Sequence, residues 1–240
     1  MKLRLDGFRP EFLDFQRGIR VGHLEPHERI TQILKLSLEE RHRQTFVTDR
    51  WGRGVYWQWI CFLPKANRLA KPVSSHVNFG CAKYFIMIDR DDARFKAGLQ
   101  VERGFVKAER YPDCQLCDDW DWNRLVAGLK DGGPVFKELK RLTGEDFEIQ
   151  LGSWEQPARY SQSAFPSASQ LHGVLQTMAP DHWGGFQLYY PMTAEEVRAS
   201  TGQDLVEAML AIFEEVTPAM NACMQIQLAT RDQGAGVSLE

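Results

Sequence analysis

Phe95-Lys96-Ala97-Gly98-Leu99-Gln100-Val101-Glu102-Arg103 decides the fold class. Phe95, Ala97, Leu99 and Val101 alternate with Lys96, Gln100 and Glu102. A period of two puts the first set on one face of a β-strand and the second on the other. The pattern therefore predicts one greasy face and one wet face. Just upstream, Tyr84-Phe85-Ile86-Met87-Ile88 reads as a second strand, and Arg90-Asp91-Asp92-Ala93-Arg94 as the turn that joins them. Val55 to Leu63 is apolar apart from Gln58 and reads as a central strand that ends at Pro64. Three consecutive strands form a meander over 54–104.

Helical patterns lie on both sides of this block. Pro26 to Thr45 carries Ile30, Ile33, Leu34 and Leu38 at helical spacing, with Pro26 suited to a first turn. Downstream, Trp122, Leu125, Val126 and Leu129 make a buried stripe, and Pro134 opens the next helix. Ser167 with Gln170, and Thr193 with Glu196, have the spacing of capping boxes. Leu205, Val206, Met209, Leu210, Ile212, Phe213 and Val216 form the strongest amphipathic pattern, which is expected to run past Pro218 to about Leu228. Phe147 to Leu151 and Phe186 to Tyr190 add two strands, and Gly152 to Pro166 reads as a long loop. Helices and strands do not alternate regularly. The class is α+β, with an antiparallel sheet of about five strands packed against several helices. One domain over 1–238 is expected. A weaker alternative places a boundary near Asp113, and Leu239-Glu240 reads as a cloning remnant.

Composition narrows the function classes. The chain has 240 residues, 43% hydrophobic and 25% charged, so it can bury a core without disulfides or metal. A net charge of -3 gives no bulk attraction to nucleic acid or anionic lipid. No apolar run approaches the ~18 residues of a membrane helix, and no leader peptide is visible. Five scattered cysteines argue against a disulfide framework and for a reducing, cytoplasmic setting. There is no Walker A loop, no Gly-x-Gly-x-x-Gly and no Gly-x-Ser-x-Gly, and no cofactor is expected.

Several groups of residues could carry function. Trp154, Arg159 and Tyr160 sit among Ser and Gln in the long loop, with His182 and Trp183 nearby in sequence. Such aromatics can stack on a flat ligand or a partner, or tuck down and staple the loop to the core. Cys114 and Cys117 have the spacing of half a zinc site but lack a second pair. Asp91, Asp92, Glu102, Asp146 and Glu148 are candidate carboxylates for a divalent metal, with His182 as acid or base. The acidic run Asp113, Asp118, Asp119 and Asp121 is explained by helix capping. Arg90, Arg94, Lys96, Arg103, Lys107 and Arg110 with Tyr84 and Phe105 would form a basic track beside aromatics.

The functional expectation is a non-catalytic binding or accessory module, with a protein or small-molecule partner met by the aromatic loop. Met209, Met220 and Met224 offer a face for a homodimer, or simply fill the core. The alternatives are a metal-dependent hydrolase of nuclease type and, disfavoured by charge, a nucleic-acid-binding protein.

Overall fold

The computed structural model describes residues 7–71, 78, 80–104 and 120–229. In chain order its elements are β1 (Leu13–Asp14), β2 (Gly18–Arg20), α1 (Ile30–His42), β3 (Phe46–Arg53), β4 (Tyr56–Pro64) and α2 (Lys65–Leu69). Then follow β5 (Lys83–Asp89), β6 (Arg94–Glu102), α3 (Asp121–Gly128), α4 (Pro134–Thr143), β7 (Glu148–Ser153) and β8 (Ala158–Tyr160). The chain continues with α5 (Ala168–Gln176), β9 (Gly184–Thr193), α6 (Ala194–Ala199) and α7 (Gly202–Cys223).

The α+β class holds, with a larger antiparallel sheet: nine strands among the described residues rather than about five. β4, β5 and β6 form the expected meander, and β9 and β7 extend it from β6, ending at β8. Along its other edge β4 pairs with β3 from Phe46 opposite Pro64 to Arg53 opposite Tyr56, with a register shift between Trp51 and Gly52. The short β1–β2 hairpin adds Ile19 and Arg20 opposite Trp57 and Tyr56. The additional strands come from segments with weak patterns. β3 fills the stretch between the expected helix and the start of the central strand, and β8 lies inside the segment expected to be a long loop.

Helix boundaries follow local chemistry. α1 begins at Ile30 rather than Pro26, because Glu25 and Glu28 close a separate turn first: the Glu28 amide donates to the Glu25 carbonyl, and the Glu25 amide to the Glu28 carboxylate. The helix stops at His42, where Arg43 takes a left-handed φ of 53°. The expected capping box at Ser167 caps α5. The box at Thr193 caps only the short α6, while Thr201 and Asp204 form a further box that starts α7. α7 runs through Pro218 but stops at Cys223, short of Leu228. Beyond it the Asn221 side chain holds both backbone groups of Leu228, at 2.8 and 2.9 Å.

α7 lies across β6, flanked by α1, α3 and α4. Beneath them Ile60, Phe62, Tyr84, Ile86, Leu99, Val101, Phe186 and Leu188 present one continuous apolar face. The opposite face departs from the expectation of a wet surface. Lys96 is 1% exposed, Gln100 3% and Glu102 7%, and Lys83, Gln150 and Gln187 are buried too. A small apolar cluster of Cys61, Leu63, Cys81, Phe85 and Tyr189 shares that side. The sheet is thus buried on both faces, one side greasy and the other largely polar.

Candidate functional site

The buried polar face is ordered as transverse rows. Register aligns Lys83, Gln100, Gln187, Gln150 and Arg159 across five strands. Gln100 Oε1 accepts from Trp59 Nε1 at 2.8 Å and from Gln187 Nε2 at 2.9 Å. Gln187 Oε1 is buried without a hydrogen bond. Lys96 Nζ donates to Asp89 at 2.6 Å and lies 4.6 Å from the centre of the Tyr189 ring. Burial alone would push Asp89 up, but Lys96 outweighs it and holds the carboxyl below its ordinary value. Gly98 sits in the middle of this face. A Cβ there would meet the Leu188 carbonyl oxygen at 2.0 Å, so the close approach of β6 to β9 requires glycine.

At one end of the face, Glu102 pairs with Lys83 Nζ at 2.9 Å and accepts from Trp183 Nε1 at 3.1 Å. Burial pulls the Lys83 pKa down, yet Glu102 beside it raises it above the usual lysine value. The Trp154 amide donates to the Trp183 carbonyl at 3.1 Å. The Trp154 ring lies over Gly185, where a Cβ would come within 2.8 Å of it. Both tryptophans therefore tie the β7–β8 turn to the α5–β9 connection. Between these segments lies a cleft of about 400 Å³, whose lining includes Ser153, Glu155, Gln156, Val174, Met178 and His182.

Arg103 does not line the cleft but holds the backbone of three residues that do. Its guanidinium donates to the carbonyls of Met178 at 2.7 Å, of Ala179, and of His182 at 3.2 Å. Its own amide donates to the Gly184 carbonyl at 3.0 Å. Burial lowers the Arg103 pKa, and its Nε has no acceptor. The side chain thus fixes three carbonyls of the α5–β9 connection, and the amide a fourth at the start of β9. Glu155 and His182 are exposed at the cleft, which gives it one carboxylate and one imidazole. Ser153 Oγ accepts from the Glu155 amide at 3.3 Å.

The sequence candidates divide among several places. His182 lines the cleft, and Trp154 and Trp183 brace it. Arg159 lies on the polar face of the edge strand β8 and pairs with Asp92 at 2.5 Å and Asp89 at 3.8 Å. Tyr160 turns to the helix side and packs against the main core. Glu148 accepts from the Tyr189 hydroxyl at 3.0 Å and pairs with Arg94 at 2.9 Å. Glu102 and Glu148 are thus committed to separate cations. Among the described residues no three His, Cys, Asp or Glu side chains converge as a metal site. Cys114 and Cys117 lie outside the described residues, as do Phe105, Lys107, Arg110, Asp113, Asp118 and Asp119. Asp121 is not a surface cap: it is buried and pairs with Lys71 at 2.9 Å.

The described part of the basic track does not form one surface: Arg90 is exposed and Arg94 pairs with Glu148, but the other members are withdrawn. Tyr84 is buried and bonded to Thr217 at 2.7 Å, Lys96 is buried, and Arg103 is spent on carbonyls. Reasoning from sequence missed Arg103 as a clamp and Gln187 and Gln150 as members of the polar row. The spacing of Lys96, Gln100 and Glu102 was a signal for the row, but its partners on β7 and β9 were not readable without strand pairing. No protein-family model matches the chain, and no curated protein or solved structure matches it. No helix among the described residues is long and apolar enough to cross a membrane.

Proposed function

We propose that this protein is a non-catalytic binding module whose ligand enters the cleft between the β7–β8 turn and the α5–β9 connection. The observation that carries this reading is the construction of the cleft. Two tryptophans and the Arg103 clamp hold its walls, while Glu155 and His182 remain exposed at its opening. Rigid walls reduce the ordering that binding must impose. Val174, Met178, Ala158 and Ala179 supply apolar lining, and Glu155 favours a ligand with a cationic or hydrogen-bond-donating group. A small polar molecule or a short peptide segment fits this chemistry. The metal-hydrolase alternative is weaker because Glu102, Glu148 and Asp92 already have cationic partners.

A thermal-shift panel of amines, amino acids, short peptides and nucleotides tests the proposal. A ligand at about one hundred times its Kd adds roughly 2.7 kcal/mol to stability. The shift should vanish in Val174→Arg, which fills the cleft from a partly exposed position, and shrink in Glu155→Gln. A ligand whose shift survives Val174→Arg binds elsewhere and removes the cleft from the argument.

A further inference from the structure

The end of the sheet formed by β1–β2 and the β3–β4 hairpin gathers arginines from several segments. Arg53 and Arg20 both pair across strands with Tyr56, one from each side, so three side chains share one face over two strand spacings, about 10 Å. The guanidinium of Arg17 lies 3.9 Å from the centre of the Tyr56 ring. Arg90 reaches in from the β5–β6 turn and donates to the Arg17 carbonyl at 2.8 Å. None of these four arginines has a carboxylate within ion-pair distance among the described residues. The nearby acids are otherwise engaged: Asp14 caps the amides of Gln16 and Arg17, and Asp49 accepts from Asn78. Asp91 stands exposed at the turn beside Arg90.

Next to this cluster, two residues from Arg53 on the same strand, Trp51 is 65% exposed. The indole thus stands in water beside guanidiniums that face no carboxylate. On an edge strand, arginines alone would serve to block edge-to-edge association. That role explains Arg53, but not the convergence of Arg17, Arg20 and Arg90 from other segments, nor an exposed tryptophan.

We propose that this patch binds single-stranded nucleic acid, with Arg17, Arg20, Arg53 and Arg90 meeting phosphates and Trp51 stacking on a base. The chemistry matches on both counts. Guanidiniums without a carboxylate partner bind phosphate without first breaking an ion pair. An exposed ring accepts an unstacked base, which a duplex does not offer. The net charge of -3 does not oppose this, because the attraction is local and acts within a Debye length, about 10 Å at moderate salt. The surface lies on strands other than those lining the cleft, so the two proposals stand or fall separately.

The test is fluorescence anisotropy of the full chain with a labelled oligothymidylate of about 15 nucleotides. Four phosphate contacts on a single strand predict roughly a 50-fold loss of affinity between about 50 and 200 mM salt. Trp51→Ala should weaken binding about tenfold, since stacking on one base contributes roughly 1–3 kcal/mol. Arg53→Glu should weaken it at least as much and flatten the salt dependence. Both positions are exposed, and unchanged melting temperatures would show that the variants fold. Arg53→Gln gives a milder check should the charge reversal prove unstable. Cleft-filling Val174→Arg should leave oligonucleotide binding intact. Absence of binding at low salt overturns the proposal. So does equal binding of wild type and Trp51→Ala, or equal binding of a duplex, since either reduces the patch to plain phosphate attraction. Equal affinity for polyglutamate would assign the patch to an acidic protein partner instead.

Discussion

The two faces of the sheet are buried to a similar degree but by different means. On the helix side, Phe62, Ile86, Leu99 and Leu188 make contact with α7 and its neighbours and carry no polar obligations. On the other side, Lys83, Lys96, Gln100 and Gln187 are equally hidden, and each must be matched by a partner of opposite sign or complementary donor. An apolar face tolerates imperfect neighbours and loses stability in proportion to the surface and cavity created. A buried polar face tolerates little, because one missing partner leaves a charge or donor stranded in a poor solvent.

The strongest test is Gly98, which lies on the polar face and lets β6 and β9 approach closely. Gly98→Ala places a methyl 2.0 Å from the Leu188 carbonyl and should part β6 from β9. A loss above about 4 kcal/mol, or failure to fold, is expected in urea denaturation. A loss below about 1 kcal/mol would show that the β6–β9 approach is not fixed by glycine.

The faces should then separate in double-mutant behaviour. Phe62→Ala should cost about 3–5 kcal/mol with no partner mutation able to restore it. Lys83→Met should cost a similar 3–5 kcal/mol by stranding Glu102. Adding Glu102→Gln should recover most of that loss, because glutamine removes the charge yet still accepts from Trp183. If the double variant is no better than Lys83→Met, the cost is one of packing and the contrast between the faces fails.

A pH dependence follows from His42, buried on the helix side of the sheet. Burial lowers the His42 pKa, even though its bond to the Ala229 carbonyl acts in the opposite direction. The unfolded chain therefore takes up a proton at a pH where the folded one does not. Stability from this group is complete above about pH 6.5 and falls by up to about 1.4 kcal/mol per unit as pH drops toward the folded value. His42→Gln should flatten that slope in denaturant titrations between about pH 6.5 and 5. An unchanged slope would place the titration elsewhere. The smallest effect is expected at the rim: Arg159→Ala removes a half-exposed ion pair and should cost less than about 1 kcal/mol.

Much of the architecture could be read from local pattern. The β5–β6 hairpin, the α+β class and the caps at Ser167 and Thr193 all rest on spacing over a few residues. The candidate site was legible only in part. His182 and the tryptophans stood out by type, but their arrangement depends on β8 forming within an apparent loop. Arg103 looked like a surface cation because nothing local shows that three carbonyls from residues 178–182 surround it.

By itself, the sequence determined that Phe95, Ala97, Leu99 and Val101 face one way and Lys96, Gln100 and Glu102 the other, because backbone sterics alone impose a period of two. Tertiary structure decided that both sets are buried. Whether a lysine meets water or aspartate depends on elements distant in the chain, and Gln187, Gln150 and Asp89 reach the same face only through strand pairing. The same holds for the four arginines around Tyr56 and Trp51: their charge is written in the sequence, but their convergence and lack of counter-ions come from the fold.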